Sequence, residues 1–294
     1  MTNWQKLLKG KVKLAEPLKD HTSYRIGGPA KIFFEPKDIQ GLKSAVAIFN
    51  KKKIPFMAIG SGSNILAGDK GLKGAVIHLN SADFKRIILR DECLEAGAGA
   101  ALGNVVSAAK TSGLSGLEFL SGIPGTVGGA LLMNAGAWGK SIADYVEKIH
   151  LLDYNGKAVV LTRKNFHFAY RSSGLEKYII LSAQFRLKKA SLTQIKRKIE
   201  DYRQRKSLSQ DLSKPSCGCV FKNPRENSAG RLIDSCGLKG KKIGGAVISK
   251  KHANFILNQD QARAADVLKL ISLIKREVKK KFKIDLQPEV RIWQ

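Results

Sequence analysis

Residues 122–137 read GIPGTVGGALLMNAGA, and this stretch decides which folds the chain can adopt. Its glycines are too dense for one regular helix throughout. The pair Gly128-Gly129 lets a backbone come close to a flat or extended ligand. Thr126 and Asn134 place polar groups inside an otherwise apolar loop. A second glycine stretch, GSGSNIL at 60–66, follows the short strand candidate PFMAIG, whose apolar run implies burial. Gly60 and Gly62 permit a tight turn, and Ser61, Ser63 and Asn64 with successive N–H groups can enclose a phosphate. The stretch is neither a Walker A loop, which ends in Gly-Lys-Ser/Thr, nor a G-x-G-x-x-G turn. Taken alone it also fits an ordinary glycine turn. Two such loops in one region point to an extended dinucleotide.

Around these loops the chain alternates strand and helix patterns. Strands are expected at 30–36, 55–60, 74–79, 86–90, 93–99 and 178–187, with a hairpin over 148–162 turning at Asn155-Gly156. Helices are expected at 38–53 and at 101–113, the second closed by Gly113. Residues 1–190 therefore read as one α+β domain of two lobes. A charged helix at 193–206 marks a break, after which the pattern restarts. Strands are expected in GCVFKNP, GGAVIS, ANFILN and VRIW, with a short helix within 228–240. The long helix at 262–282 carries Ala265, Leu268, Ile271, Leu273, Ile274 and Val278 around its apolar side. Residues 191–294 form the expected second, smaller α+β domain.

Lys and Arg number 52 against 24 Asp and Glu, a formal charge of +28, so the surface attracts anionic ligands and polyanions. The basic residues are dispersed and no nucleic-acid motif accompanies them, which argues against a nucleic-acid partner. The runs 51–53 and 279–281 read as polar faces or ends of helices. No apolar stretch approaches the roughly 20 residues of a membrane span. The opening MTNWQKLLKGKVKL interrupts its apolar residues with lysines, unlike a secretory segment. A soluble, cytoplasmic, reducing setting is expected, with its cysteines as thiols.

Two of the four cysteines flank one glycine in PSCGCVFKNP, residues 215–224. Zinc sites usually space cysteines two to four apart and use a second pair, and here only the isolated Cys93 and Cys236 remain. No metal site is expected. A disulfide across one residue would be strained. In an extended segment Cys217 and Cys219 point to the same side, so a thiol facing a cavity is also consistent with the spacing.

The loops GSGSNIL and GIPGTVGGALLMNAGA resemble the flavin-binding loops of the UDP-N-acetylenolpyruvoylglucosamine reductase family. HTSYRIGGPA (21–30), YRSS (170–173), GCVFKNP, AGRLIDSCGLKG (229–240), KKIGGAVISKKHANFILN (241–258) and PEVRIW (288–293) follow in that family's order. The compact spacing after YRSS resembles the shorter type of this enzyme, without its tyrosine-bearing insertion. The resemblance implies an FAD-binding domain of the vanillyl-alcohol-oxidase type, NADPH as hydride donor, a UDP-sugar substrate and a monomer. It implies that Arg171 stabilises an enolate, with Glu289 assisting. Cys219 stands where many members carry a proton-donating serine. A thiol, with a reference pKa of about 8.5, is protonated at neutral pH and far more acidic than an alcohol. By the same resemblance Tyr24, Gly60, Ser61, Gly62, Ser63, Asn64, Ile65, Gly125, Thr126, Gly128, Gly129, Asn134 and Ala135 border the cofactor. Tyr170, Asn223 and Lys206 border the substrate, although RKSLSQ around Lys206 departs from the family pattern. A flavin oxidase of small alcohols would not need GCVFKNP or the KKIGGAVIS block, and a basic RNA-binding protein with a relict flavin fold would instead show steeply salt-dependent RNA retention.

Overall fold

The computed structural model describes residues 4–294 and divides them into two compact units. The first holds residues up to Leu14, then Ile32–Gly60 and Gly74–Arg205. The second holds Ala15–Lys31, Ser61–Lys73 and Lys206–Gln294. The sequence reading drew one continuous break near residue 190. The chain instead passes between units five times, because the second unit incorporates two early segments as well as the C-terminal region.

The first unit carries a five-stranded antiparallel sheet. Its order is Ala158–Thr162, Val146–Asp153, Tyr178–Arg186, Cys93–Gly97, Ile87–Arg90. The expected hairpin turns through Asn155-Gly156, where the Asp153 carboxylate accepts from the Asn155 and Lys157 N–H groups. A four-stranded sheet runs in the order Gly10–Pro17, Pro29–Pro36, Leu72–His78, Phe56–Ile59. Its last strand is an edge: only Ile59 is buried, where the apolar run PFMAIG had implied burial throughout. The helix Ile39–Lys51 starts at Asp38, whose Oδ1 accepts the Gly41 N–H at 2.7 Å. Its buried residues Leu42, Ala45, Val46 and Phe49 recur at helical spacing. The helix Leu102–Thr111 ends at Gly113, which takes φ +65° as expected of a C-terminal cap.

The second unit packs its own core around the helix Ala264–Phe282. Asp69 accepts the N–H groups of Ala264 and Ala265 at 2.8 and 3.1 Å, so a carboxylate meets the positive end of this helix. The buried stripe is Ala264, Val267, Leu270, Ile271, Ile274 and Val278. It is rotated from the expected one, leaving Ala265, Leu268 and Leu273 half-buried. A small antiparallel sheet orders Lys242–Ile243, Ala246–Ile248, Ile256–Asn258. The last strand, Arg291–Trp293, pairs in parallel with Ile65–Ala67, a strand the glycine-loop reading of GSGSNIL did not foresee. Nor is GCVFKNP a strand. It makes isolated bridges, Cys219 to Phe255 and Phe221 to Pro288. No helix of the described residues is long and apolar enough to cross a membrane.

Candidate active site

In the first unit, the stretch 122–137 folds into a loop and the short helix Val127–Leu132. Thr126 caps that helix and its hydroxyl accepts from the Gly129 N–H at 3.4 Å. The Gly128 N–H donates to Ala98 O, and a side chain at Gly128 would meet the Ala98 Cβ at 3.0 Å. A side chain at Gly60 would run into the Thr126 hydroxyl. Packing within the protein therefore also calls for glycine at these two positions. Gly129 is different. It is exposed, and a Cβ there would find only the Thr126 hydroxyl, at 3.7 Å. Its backbone stays open to close approach by a ligand. Gly125 O accepts from Leu102 N, and Ala135 N donates to Ala130 O, fixing the two ends of the loop.

The YRSS segment is fastened to this loop by three hydrogen bonds. Asn134 Nδ2 donates to Ala169 O at 3.0 Å, Arg171 Nη1 to Gly136 O at 3.2 Å, and Ser173 Oγ to Leu132 O at 2.9 Å. Ala169 and Ser172 exchange both backbone hydrogen bonds, so Tyr170 and Arg171 form the tip of a tight turn. Arg171 takes φ +54° there, a conformation few side-chain-bearing residues adopt. Its guanidinium lies 5.4 Å from the Tyr170 ring centroid, and Tyr170 itself is 55% exposed. A cation is thus presented beside an exposed aromatic ring, on a turn braced against the glycine loop.

In the second unit, Gly62 takes φ +61°, and a side chain there would collide with His21 O. Ser61 is exposed, Ser63 and Asn64 half-buried, and Ile65 starts the strand Ile65–Ala67. Asn64 Nδ2 donates to Glu289 O at 3.0 Å, and Arg291 N donates to Asn64 O. Glu289 is thereby tied by backbone to the serine-glycine loop, and its own N–H donates to Val220 O. Tyr24, expected at the cofactor, is wholly buried against Cys217 and supports the loop from behind. Asn223 is exposed and its Oδ1 accepts from Ala229 N, so it caps the helix Ala229–Ser235.

Cys217 is buried, and desolvation pushes its thiol up to about 12, with the Tyr24 hydroxyl opposing that rise and the nearby Cys219 and Glu289 charges adding to it. Cys219 is half-buried. Lys206 is only 6% exposed; burial brings its ammonium down to about 8, with attraction to Cys219 acting the other way. Lys206 lies in the charged stretch at the end of the helix Leu192–Ser209, where sequence alone would leave a lysine in solvent. Among the described residues no group of three or more His, Cys, Asp or Glu is placed to hold a metal.

Sequence reading missed Asn254. Its buried side chain spans the backbone of Phe221, accepting from N at 2.9 Å and donating to O at 2.8 Å. Asn258 does the same for Tyr24 O and Ala262 N. The signal was present: two asparagines inside the apolar run ANFILN must find partners when buried. Asn254→Ala would leave two buried backbone groups of the cysteine loop unpaired. We expect a loss of about 2–4 kcal/mol in chemical denaturation.

The open backbone at Gly129 in the first unit and the exposed Ser61 of the glycine turn in the second are each features of the kind a phosphate-bearing ligand uses. The family model described as FAD binding domain matches residues 30–162, and the C-terminal domain of UDP-N-acetylenolpyruvoylglucosamine reductase matches residues 210–293. The chain belongs to the UDP-N-acetylenolpyruvoylglucosamine reductase family. It is 42% identical to the reductase of that name from Caldanaerobacter subterraneus, over 97% of this chain and 95% of that one. It is 44% identical to the one from Pseudothermotoga lettingae, over 96% and 98%. The crystal structure of the Thermus caldophilus reductase superimposes with a TM-score of 0.84 at 36% identity, covering 97% of this chain and 99% of that one. A Physcomitrella patens BBE-like 1 variant shares the fold over 65% of this chain and 45% of its own, with TM-score 0.50 at 19% identity. The α+β flavoprotein fold with a smaller C-terminal domain, the enzyme class and the FAD cofactor expected from sequence all hold.

Proposed function

We infer that this chain reduces UDP-N-acetylglucosamine enolpyruvate to UDP-N-acetylmuramate with NADPH, as a monomer, in cytoplasmic peptidoglycan precursor synthesis. The observation that carries the reading is the Cys219 thiol, beside a buried ammonium, on a loop braced by Asn254. When bound, FAD supplies hydride transfer from NADPH to the terminal enolpyruvyl carbon. Gly60, Ser61, Gly62, Ser63, Asn64, Ile65, Gly125, Thr126, Gly128, Gly129, Asn134 and Ala135 would hold that cofactor, with Tyr24 behind them.

Negative charge then develops on the substrate carboxylate as an enolate. Arg171 matches both carboxylate oxygens with a planar pair of donors, and its fixed turn means little reorganisation is needed at that moment. Glu289, held by its backbone, orients the enol. Cys219 gives its proton to the adjacent carbon, and the thiolate left behind is stabilised by the Lys206 ammonium until it regains a proton. Lys206, Tyr170 and Asn223 would contact the sugar nucleotide, whose diphosphate an ammonium suits.

The test is anaerobic stopped-flow absorbance on purified, FAD-loaded protein. NADPH should bleach the flavin band, and UDP-N-acetylglucosamine enolpyruvate should restore it. Bleaching without restoration would assign a different acceptor, and the absence of any flavin signal would refute the reading.

A further inference from the structure

Cys217 and Cys219 differ in every property that decides thiol chemistry. Cys219 is half-buried and lies within electrostatic reach of the buried Lys206 ammonium. Cys217 is buried against Tyr24. Between them Gly218 takes φ +77°, and apart from its two chain neighbours no heavy atom lies within 4 Å of where its Cβ would be. The half-buried glycine separating the two sulfurs therefore has room on its Cβ side for the backbone to bend. On its far side the segment is anchored: Val220 N donates to Asn254 O, and the Asn254 side chain grips Phe221.

We propose that Cys219 and Cys217 form an oxidisable dithiol that takes a hydroperoxide as its reagent and closes a reversible disulfide across Gly218. The Cys219 thiolate attacks the peroxide oxygen, the O–O bond breaks, and with one proton taken up the products are Cys219 sulfenic acid and water or alcohol. The Cys217 sulfur then displaces hydroxide from the sulfenic sulfur. Its proton leaves with that hydroxide as a second water, and an S–S bond remains. Two thiols are oxidised by two electrons and one hydroperoxide is reduced by two, so the sequence balances. A ring closed over a single intervening residue is strained, which makes the bond readily reduced by a dithiol. The cost of that strain is what separates a protective, reversible state from a permanent structural bridge. Formation of the disulfide stands on the thiol cluster alone; its effect on turnover rests on the proposed role of Cys219.

The experiment is peptide mass analysis of the FAD-loaded protein after hydrogen peroxide, which reads the modification without reference to activity. Trypsin leaves both thiols in the peptide 207–222, since Lys214 precedes proline. That peptide is expected to lose the mass of two hydrogens, and dithiothreitol should restore it, while the peptides carrying Cys93 and Cys236 stay unchanged at the same dose. Cys217→Ser should instead accumulate a dimedone-reactive sulfenic acid at Cys219 and progress to irreversible sulfinic acid. Lys206→Gln should slow oxidation of Cys219 about tenfold. Absence of the two-hydrogen loss in the unsubstituted protein would overturn the proposal. Disulfide formation without loss of flavin reoxidation by substrate would retain the dithiol and refute the role of Cys219 in the reaction.

Discussion

Cys219→Ala is expected to slow reoxidation of the reduced flavin by substrate by about 10²–10⁴-fold, the range associated with a positioned general acid. Reduction by NADPH should be unaffected, because that half of the cycle needs no proton from this thiol. The two half-reactions are separated by single-turnover absorbance. Cys219→Ser should recover most of the loss, since a hydroxyl at the same place still carries a transferable proton, although a far less acidic one. The rescue distinguishes a proton donor from a residue that merely fills space: serine and alanine are both small, and only one has a proton to give. Full-rate reoxidation in Cys219→Ala would show that the proton comes from elsewhere.

Arg171→Gly is expected to cost about 10²–10³-fold in kcat/KM for the UDP-sugar, the magnitude seen when one preorganised oxyanion partner is lost. The choice of glycine separates chemistry from folding. Arg171 holds φ +54°, where a side chain is disfavoured by about 1 kcal/mol and glycine is not. Removing the Nη1 hydrogen bond to Gly136 O works in the opposite direction by a similar amount. The melting temperature should therefore move by no more than a few degrees while activity collapses. Arg171→Lys should fall between, because an ammonium keeps the charge and loses the two-pronged match to a carboxylate. A large fall in melting temperature with unchanged kcat/KM in the surviving folded protein would make Arg171 a structural residue.

Much of the architecture could be read from residue order. The helix Ile39–Lys51 announced itself by the regular apolar spacing of Leu42, Ala45, Val46 and Phe49, and the hairpin over 146–162 by Asn155-Gly156 between alternating strands. What escaped was structure held by distant partners. Ile65–Ala67 is too short to show a period of two, and its partner is the strand Arg291–Trp293. GCVFKNP looks extended and apolar, yet a side-chain amide from Asn254 holds it where a neighbouring strand was expected. The long helix was found but its buried stripe was misjudged, because alternating Leu, Ile and Ala offer two nearly equivalent apolar faces and only packing chooses between them. Among the candidate site residues, Arg171, Cys219 and Glu289 were visible through short motifs. The burial of Lys206 was not, since a run of charged residues gives no local sign that one member turns inward.

The second unit is assembled from stretches beginning at residues 15, 61 and 206. Asn64 and Glu289, which hydrogen-bond within it, are 225 positions apart. A ribosome delivers these pieces in the wrong order for stepwise assembly. The early segments emerge with their apolar residues Tyr24, Ile26 and Leu66 uncovered, and they stay uncovered until the helix Ala264–Phe282 and the strand Arg291–Trp293 have been synthesised. A nascent chain of this design must carry two segments with uncovered apolar residues through most of translation, the condition under which incomplete chains are prone to associate.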